Sequence, residues 1–118
     1  MLSAGNKKVY LACGQTDMRK SINGLSVIVQ ESFRLDLFDR AVFVFCNRDR
    51  NRLKILEWDG DGFWLHFKRL EKGRFRWPQP SGEEKTMTLS GEELHHLLGG
   101  PGLEQKLCRM QVNERYAV

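Results

Sequence analysis

The sequence predicts an α+β domain: an antiparallel sheet, built from a meander of about four strands plus an N-terminal strand, packed against one main helix, with a short second helix. Three observations point there. An apolar stripe at helical spacing runs through residues 18–33. Short apolar runs between residues 41 and 77 are broken by Asn-, Asp- and Gly-containing turns. A complete helix-start signal stands at Ser90.

The first strand is expected over residues 7–13, where Val9, Leu11 and Cys13 alternate with Tyr10 and Ala12 and Gly14 ends the run. The main helix is expected over residues 18–33, with Thr16 or Asp17 as its cap. Met18, Ile22, Leu25, Val29 and Phe33 recur at steps of three and four and form its buried face. Gly24 interrupts this helix, and close contact with the sheet would explain it.

Residues 41–46 are apolar throughout, as in a strand buried on both faces. A polar turn leads to a strand over residues 52–58. Asp59-Gly60-Asp61-Gly62 then reads as a hairpin turn, because Asp-Gly supplies the positive φ that a tight turn needs. Residues 63–70 return, Glu71-Lys72-Gly73 turns again, and residues 74–77 make a last short strand stopped by Pro78. The resulting sheet is expected to be covered on one face. After a polar loop over residues 79–85, Ser90 and Glu93 form a capping box and Leu89 and Leu94 a hydrophobic staple. Gly99-Gly100-Pro101-Gly102 ends the second helix. The chain of 118 residues fits a single domain, with a compact part over residues 7–100 and a tail over 101–118 that reads either as a short helix or as a mobile end.

Composition narrows the function. No run approaches the roughly eighteen apolar residues of a membrane span, and residues 1–8 lack the apolar run of a secretory signal. Cys13, Cys46 and Cys108 are odd in number and widely spaced, which suits reduced cytoplasmic thiols rather than a zinc or redox site. The net charge is +4, and residues 48–76 hold nine Lys/Arg against five acids. The other residues balance, so the whole excess sits in one segment.

No catalytic constellation is visible, and neither cofactor nor metal is expected. A calcium loop starting at Asp59 would place Phe63 and Leu70 at ligand positions, which neither can fill. A two-metal nuclease would have to gather Asp17, Glu57, Asp59 and Asp61, and nothing in their spacing does so. His95 and His96 are adjacent on a helix and cannot share a metal as residues four apart can.

The basic strands say more. Trp64, His66 and Lys68 share one strand face, Phe75 and Trp77 join it if Leu70 pairs with Phe75 across the next turn, and Phe63, Leu65 and Phe67 point the other way. Aromatics interleaved with cations suit a binding surface; the same pattern also suits a core face under the second helix, with Lys and Arg at its rim. As a surface, its partner anchors are Trp64, His66, Phe75 and Trp77. If DNA is bound, Arg19, Lys20, Arg48, Arg50, Arg52, Lys68, Arg69, Lys72, Arg74 and Arg76 contact phosphate rather than read bases. The modest charge points to non-specific dissociation constants on the order of 10⁻⁴ to 10⁻⁶ M at physiological salt.

Three runs also resemble a known family. They are Val9-Tyr10-Leu11-Ala12-Cys13-Gly14-Gln15-Thr16-Asp17-Met18-Arg19-Lys20 with Asn23-Gly24-Leu25, Leu53-Lys54-Ile55-Leu56-Glu57-Trp58-Asp59-Gly60-Asp61-Gly62-Phe63-Trp64, and Lys68-Arg69-Leu70-Glu71-Lys72-Gly73-Arg74-Phe75-Arg76-Trp77-Pro78. In this order they resemble the TnpB-type accessory proteins of insertion-sequence family 66, with a weaker match over residues 89–98. The pattern departs at residues 35–40, where the family usually has a proline-containing link, and after Gly100. The resemblance implies a bacterial protein encoded beside a separate transposase that carries the catalytic acids. It implies help in transposition through DNA, the transposase or both, leaves a homo-oligomer open, and brings no catalytic residues with it. A protein-interaction module without DNA contact is the alternative, and a metal-dependent nuclease a third.

Overall fold

A computed structural model of the chain describes residues 7–78 and 82–99. Its five strands are β1 (Lys8–Ala12), β2 (Ala41–Cys46), β3 (Arg52–Trp58), β4 (Phe63–Arg69) and β5 (Thr86–Leu89). They form one sheet in the order β4-β3-β2-β1-β5. Helix α1 (Ile22–Val27) continues into a π-helical turn, Ile28–Ser32, and α2 (Gly91–Gly99) follows β5. The α+β class and the elements at β2 and β3 are as the sequence predicts. The sheet is mixed, because β1 runs parallel to β2 while the other pairs are antiparallel.

The sheet is covered on both faces, not one, and β2 explains why. All six of its residues are buried, and successive side chains of a strand point to opposite faces. Ala41, Phe43 and Phe45 meet Leu25 and Val29 of the first helix, with Met18, Ile22 and Phe33 packed against them. The helical stripe read from the sequence is therefore the one that is buried. Val42, Val44 and Cys46 meet Leu94 and Leu97 of α2, together with Leu70, Phe75 and Trp77.

The last strand lies elsewhere than expected. Residues 74–77 do not pair as a strand; Trp77 N–H bonds back to Phe75 C=O at 3.0 Å, a three-residue turn. Phe75 N–H reaches Arg50 C=O at 2.7 Å, so this segment crosses the end of the sheet instead of extending it. The edge position falls to Thr86–Leu89, which pairs with β1 from Val9↔Leu89 to Ala12↔Thr86.

The first helix begins at Ile22, four residues later than the apolar spacing suggests. Asp17 is not its cap: its Oδ1 accepts the backbone N–H of Arg19 at 2.9 Å, and Lys20 N–H bonds Asp17 C=O at 3.2 Å. That local turn holds residues 17–20 out of the helix. Ser21 takes the cap position without a side-chain bond. A β-carbon at Gly24 would meet the Lys20 side chain at 3.2 Å, so this glycine accommodates Lys20 rather than the sheet. The π turn closes with Phe33 N–H to Ile28 C=O at 3.0 Å, the wider bond that defines that helix.

The start of α2 is as the sequence predicts. Ser90 N–H donates to Glu93 Oε1 at 2.8 Å and Glu93 N–H to Ser90 Oγ at 3.0 Å. Leu89 packs against the cluster that holds Leu94. The expected tail over residues 101–118, and Cys108 within it, lie outside the described residues.

Two of the three tryptophans separate core from edge. Trp77 is 7% exposed and its Nε1 donates to Ala12 C=O at 3.2 Å, whereas Trp64 is 48% exposed. Trp77→Ala should cost about 3–5 kcal/mol of folding free energy in urea denaturation. Trp64→Ala, which loses only an exposed hydrogen bond to Asp59 and a stack on His66, should cost about 1 kcal/mol. Equal losses would contradict this assignment.

Candidate nucleic-acid interface

Strand directions sort the charges. β1 and β2 end, and β3 begins, at the same end of the sheet, and β4 ends there too. Three connections meet at that end. Thr16 N–H, before the first helix, bonds Cys46 C=O at 2.8 Å. Leu70 N–H bonds Asn51 C=O at 2.8 Å, and Phe75 N–H bonds Arg50 C=O. Lys54 Nζ donates to Lys20 C=O at 2.8 Å. The loop at residues 14–20, the β2–β3 turn and the segment 69–76 are thus tied into one surface.

That surface carries ten cations: Arg19, Lys20, Arg48, Arg50, Arg52, Lys54, Arg69, Lys72, Arg74 and Arg76. Asp17, Asp49 and Glu71 are the acids beside them. The other end of the sheet holds Asp36, Asp39, Asp59 and Asp61, with Lys8, Arg34 and Arg40 among them, so its charges nearly balance. The positive excess therefore sits at one end of the strands, which orients the molecule in the field of a polyanion.

Asn47 builds the turn at the centre of the cationic end. Its Oδ1 accepts the backbone N–H groups of Asn51 and Arg52, both at 3.0 Å, and its Nδ2 donates to Asn51 Oδ1 at 2.8 Å. Arg50 holds a positive φ of 60°, which a residue other than glycine rarely adopts. Its guanidinium donates to Gly14 C=O at 3.1 Å and lies 5.8 Å from the Trp77 ring centroid. Arg50 therefore braces the loops more than it projects from them.

The remaining cations differ in their freedom. Arg48, Lys72, Arg74 and Arg76 are exposed. Arg69 Nε contacts Glu71 Oε2 at 2.8 Å. Arg19 is clamped by Asp17, with Nη2 to Oδ2 at 2.8 Å, and this holds the Asp17 carboxyl down at about 2. Lys68 stands apart: its Nζ donates to Leu98 C=O at the end of α2, on the opposite face. Of the residues expected to meet phosphate, Lys68 faces away and Arg50 is engaged in bracing the loops.

Between the β1–α1 loop and the β3–β4 pair lies an open cavity of about 630 Å³. Met18, Leu65 and Phe67 are its apolar lining and Arg19, Arg52 and Lys54 its cationic one, with Asn47 and Asp17, the latter engaged by Arg19, completing the wall. Strand alternation places Phe67 on this face, but the sequence attaches no role to it or to Lys54. Their cross-strand pairing, Lys54↔Phe67, depends on the β3–β4 register, which the Asp-Gly turn alone would supply. Gly60 takes a φ of 108° there, and Asp59 N–H bonds Gly62 C=O at 3.1 Å.

The expected partner anchors divide. Phe75 and Trp77, 3% and 7% exposed, are core residues rather than surface anchors, because α2 and the end-crossing segment bury them. Trp64 and His66 remain at the sheet edge, stacked 6.1 Å apart. Trp64 Nε1 donates to Asp59 Oδ2 at 2.6 Å, which holds Asp59 below the usual carboxylate range, while Asp59 pushes Asp61 up. His66 Nε2 contacts Glu57 Oε1 at 3.1 Å, and Lys7 Nζ contacts Glu57 Oε2. Glu57 is 2% exposed, and these two donors give that buried carboxylate its partners. No group of three or more His, Cys, Asp or Glu among the described residues is arranged to hold a metal ion. Burial raises the thiol pKa of both Cys13 and Cys46, and a thiol so raised is a poor nucleophile. No described helix is long and apolar enough to cross a membrane.

The sequence model of one protein family, described as IS66 Orf2 like protein, matches residues 7–107. Two relatives from Sinorhizobium fredii are similar along most of their length. The uncharacterized protein y4hO is 42% identical over 101 residues, 85% of this chain and 86% of its own. The uncharacterized protein y4jC is 31% identical over 93 residues, 79% of this chain and 78% of its own. No solved structure matches the chain.

The Asp17–Arg19 clamp has a defined pH range. A carboxyl held below its ordinary value favours its contact above that value and loses it as pH falls toward the lowered one. The clamp should therefore be intact at neutral pH and open as pH drops from about 4 to about 2. In an NMR titration, Asp17 should show a midpoint near 2, and Arg19→Ala should move it up toward the ordinary range. An unmoved midpoint would assign the shift to something other than Arg19.

Proposed function

The chain belongs to the IS66 Orf2-like family, and from that premise we propose that it is an accessory factor of transposition that holds DNA by its phosphates through the cationic end of the sheet. Membership supports the transposition-associated accessory role. The observation that carries the rest is the gathering of Arg19, Lys20, Arg48, Arg52, Lys54, Arg69, Lys72, Arg74 and Arg76 at one end of the sheet. Exposed guanidinium groups suit phosphate, which they can meet with two parallel bonds. Contacts of this kind set position and affinity without reading sequence. In this reading the protein works in the cytoplasm beside a separate transposase of the same element and cuts no DNA itself. A second reading, docking of the transposase on Trp64 and His66, draws on the half-exposed indole at the sheet edge.

The test is a fluorescence-anisotropy titration of element-end and scrambled duplexes across a salt series. Affinity should fall linearly in log–log form, and Arg74→Ala/Arg76→Ala should reduce the slope by roughly two, close to one for each phosphate that is no longer neutralised. Scrambled DNA should bind about as well as the end sequence. Absence of binding at about 50 mM salt would overturn the DNA reading and leave the edge-docking one.

A further inference from the structure

Phosphate binding calls for cations, not for an exposed aromatic ring. Phe67 nevertheless stands 56% exposed among them, on the edge strand. The first helix covers its neighbour Leu65, which packs against the core, but Phe67 is not part of that cluster. Its ring lies 6.0 Å from the Lys54 ammonium and lines the 630 Å³ cavity with Arg19 and Arg52. A volume of that size falls within the roughly 300–1,000 Å³ of small-ligand sites.

The register supplies a second observation. Arg52 and Arg69 are directly paired across β3 and β4. Like charges in that relation destabilise a sheet, and Glu71 offsets the charge of Arg69 alone. An anion between the two guanidinium groups would relieve the repulsion. The site thus joins an aromatic face to a phosphate-sized concentration of positive charge.

We propose that this groove holds a single-stranded segment of DNA, with an unpaired base stacked on Phe67 and its flanking phosphates on Arg52, Lys54 and Arg69. In a duplex the base faces are stacked on one another, so Phe67 would have nothing to contact. In a single strand every base offers a π-face, and an aromatic ring beside cations binds it without regard to sequence. The proposal rests on the phosphate-binding reading and adds to it a preference for unpaired DNA. An apolar occupant would leave Arg52 and Lys54 without counter-charge, and a peptide carboxylate would leave the ring unstacked.

The experiment uses the full chain and two labelled DNAs of equal length, an oligo-deoxythymidine strand and a duplex, in anisotropy titrations at about 50 mM salt. Phe67→Leu should weaken single-strand binding about tenfold and leave duplex binding within about twofold, and Phe67→Trp should bind the strand at least as tightly as the parent. A strand carrying 2-aminopurine should show its fluorescence quenched by the parent protein and not by Phe67→Leu. Equal losses on both DNAs, or an unchanged strand affinity, would overturn the proposal while duplex binding persists. Failure of the parent protein to bind either DNA would instead remove the phosphate reading on which it rests.

Discussion

Every residue of β2 is buried, so the central strand has no face to show to water. Much of the architecture follows from that. Alternate side chains of a strand leave opposite sides of the sheet, and Phe43 and Phe45 therefore need one cover while Val42 and Val44 need another. The first helix supplies one layer. The second layer is assembled from α2 and the segment carrying Leu70, Phe75 and Trp77. With both faces of the centre closed, charge collects at the strand ends and along the β4 edge, where water reaches it. The exception, Glu57, is buried only with Lys7 and His66 as partners.

This packing also gives the charge its direction. The β2–β3 turn, the segment after β4 and the loop before the first helix converge because parallel β1 and β2 end together and the β3–β4 hairpin folds back to the same end. The cations are scattered in sequence from Arg19 to Arg76 and become one surface only through that topology. Arg50 and Asn47 use their side chains to hold the loops in place. Arg52 and Lys54, on a strand, are positioned by the sheet itself. A site standing partly on rigid strands and partly on braced turns suits a polyanion whose charges are regularly spaced.

Much of the fold is legible in the sequence because its signals are local. The apolar run of β2, the Asp-Gly turn and the Ser90–Glu93 capping box each depend on a few neighbouring residues, and each leads to the element observed. Where sequence and structure part, competition or distance is the cause. Asp17 looks like a helix cap until its carboxylate is claimed by Arg19 and its carbonyl by Lys20. Residues 74–77 have strand composition, and Phe75 and Trp77 share one buried cluster as alternate strand residues would, yet Trp77 N–H turns back to Phe75 C=O and the segment crosses the end of the sheet. The two-sided core that claims them cannot be seen from the segment alone. The same limit applies to the site. Its cations are visible as a charged segment, whereas Phe67 and Lys54 gain meaning only from a cross-strand register and from where the first helix stops covering β4.

The central claim is that DNA meets the cationic end of the sheet and no other surface. The most direct test is an amide-resolved NMR titration of the protein with a short duplex of arbitrary sequence. Shifts confined to residues 14–20, 47–54 and 67–76, with residues 59–62 at the opposite end unmoved, are the result expected. Shifts centred on Trp64 and His66, on the hairpin at 59–62, or spread evenly over the chain would contradict the account.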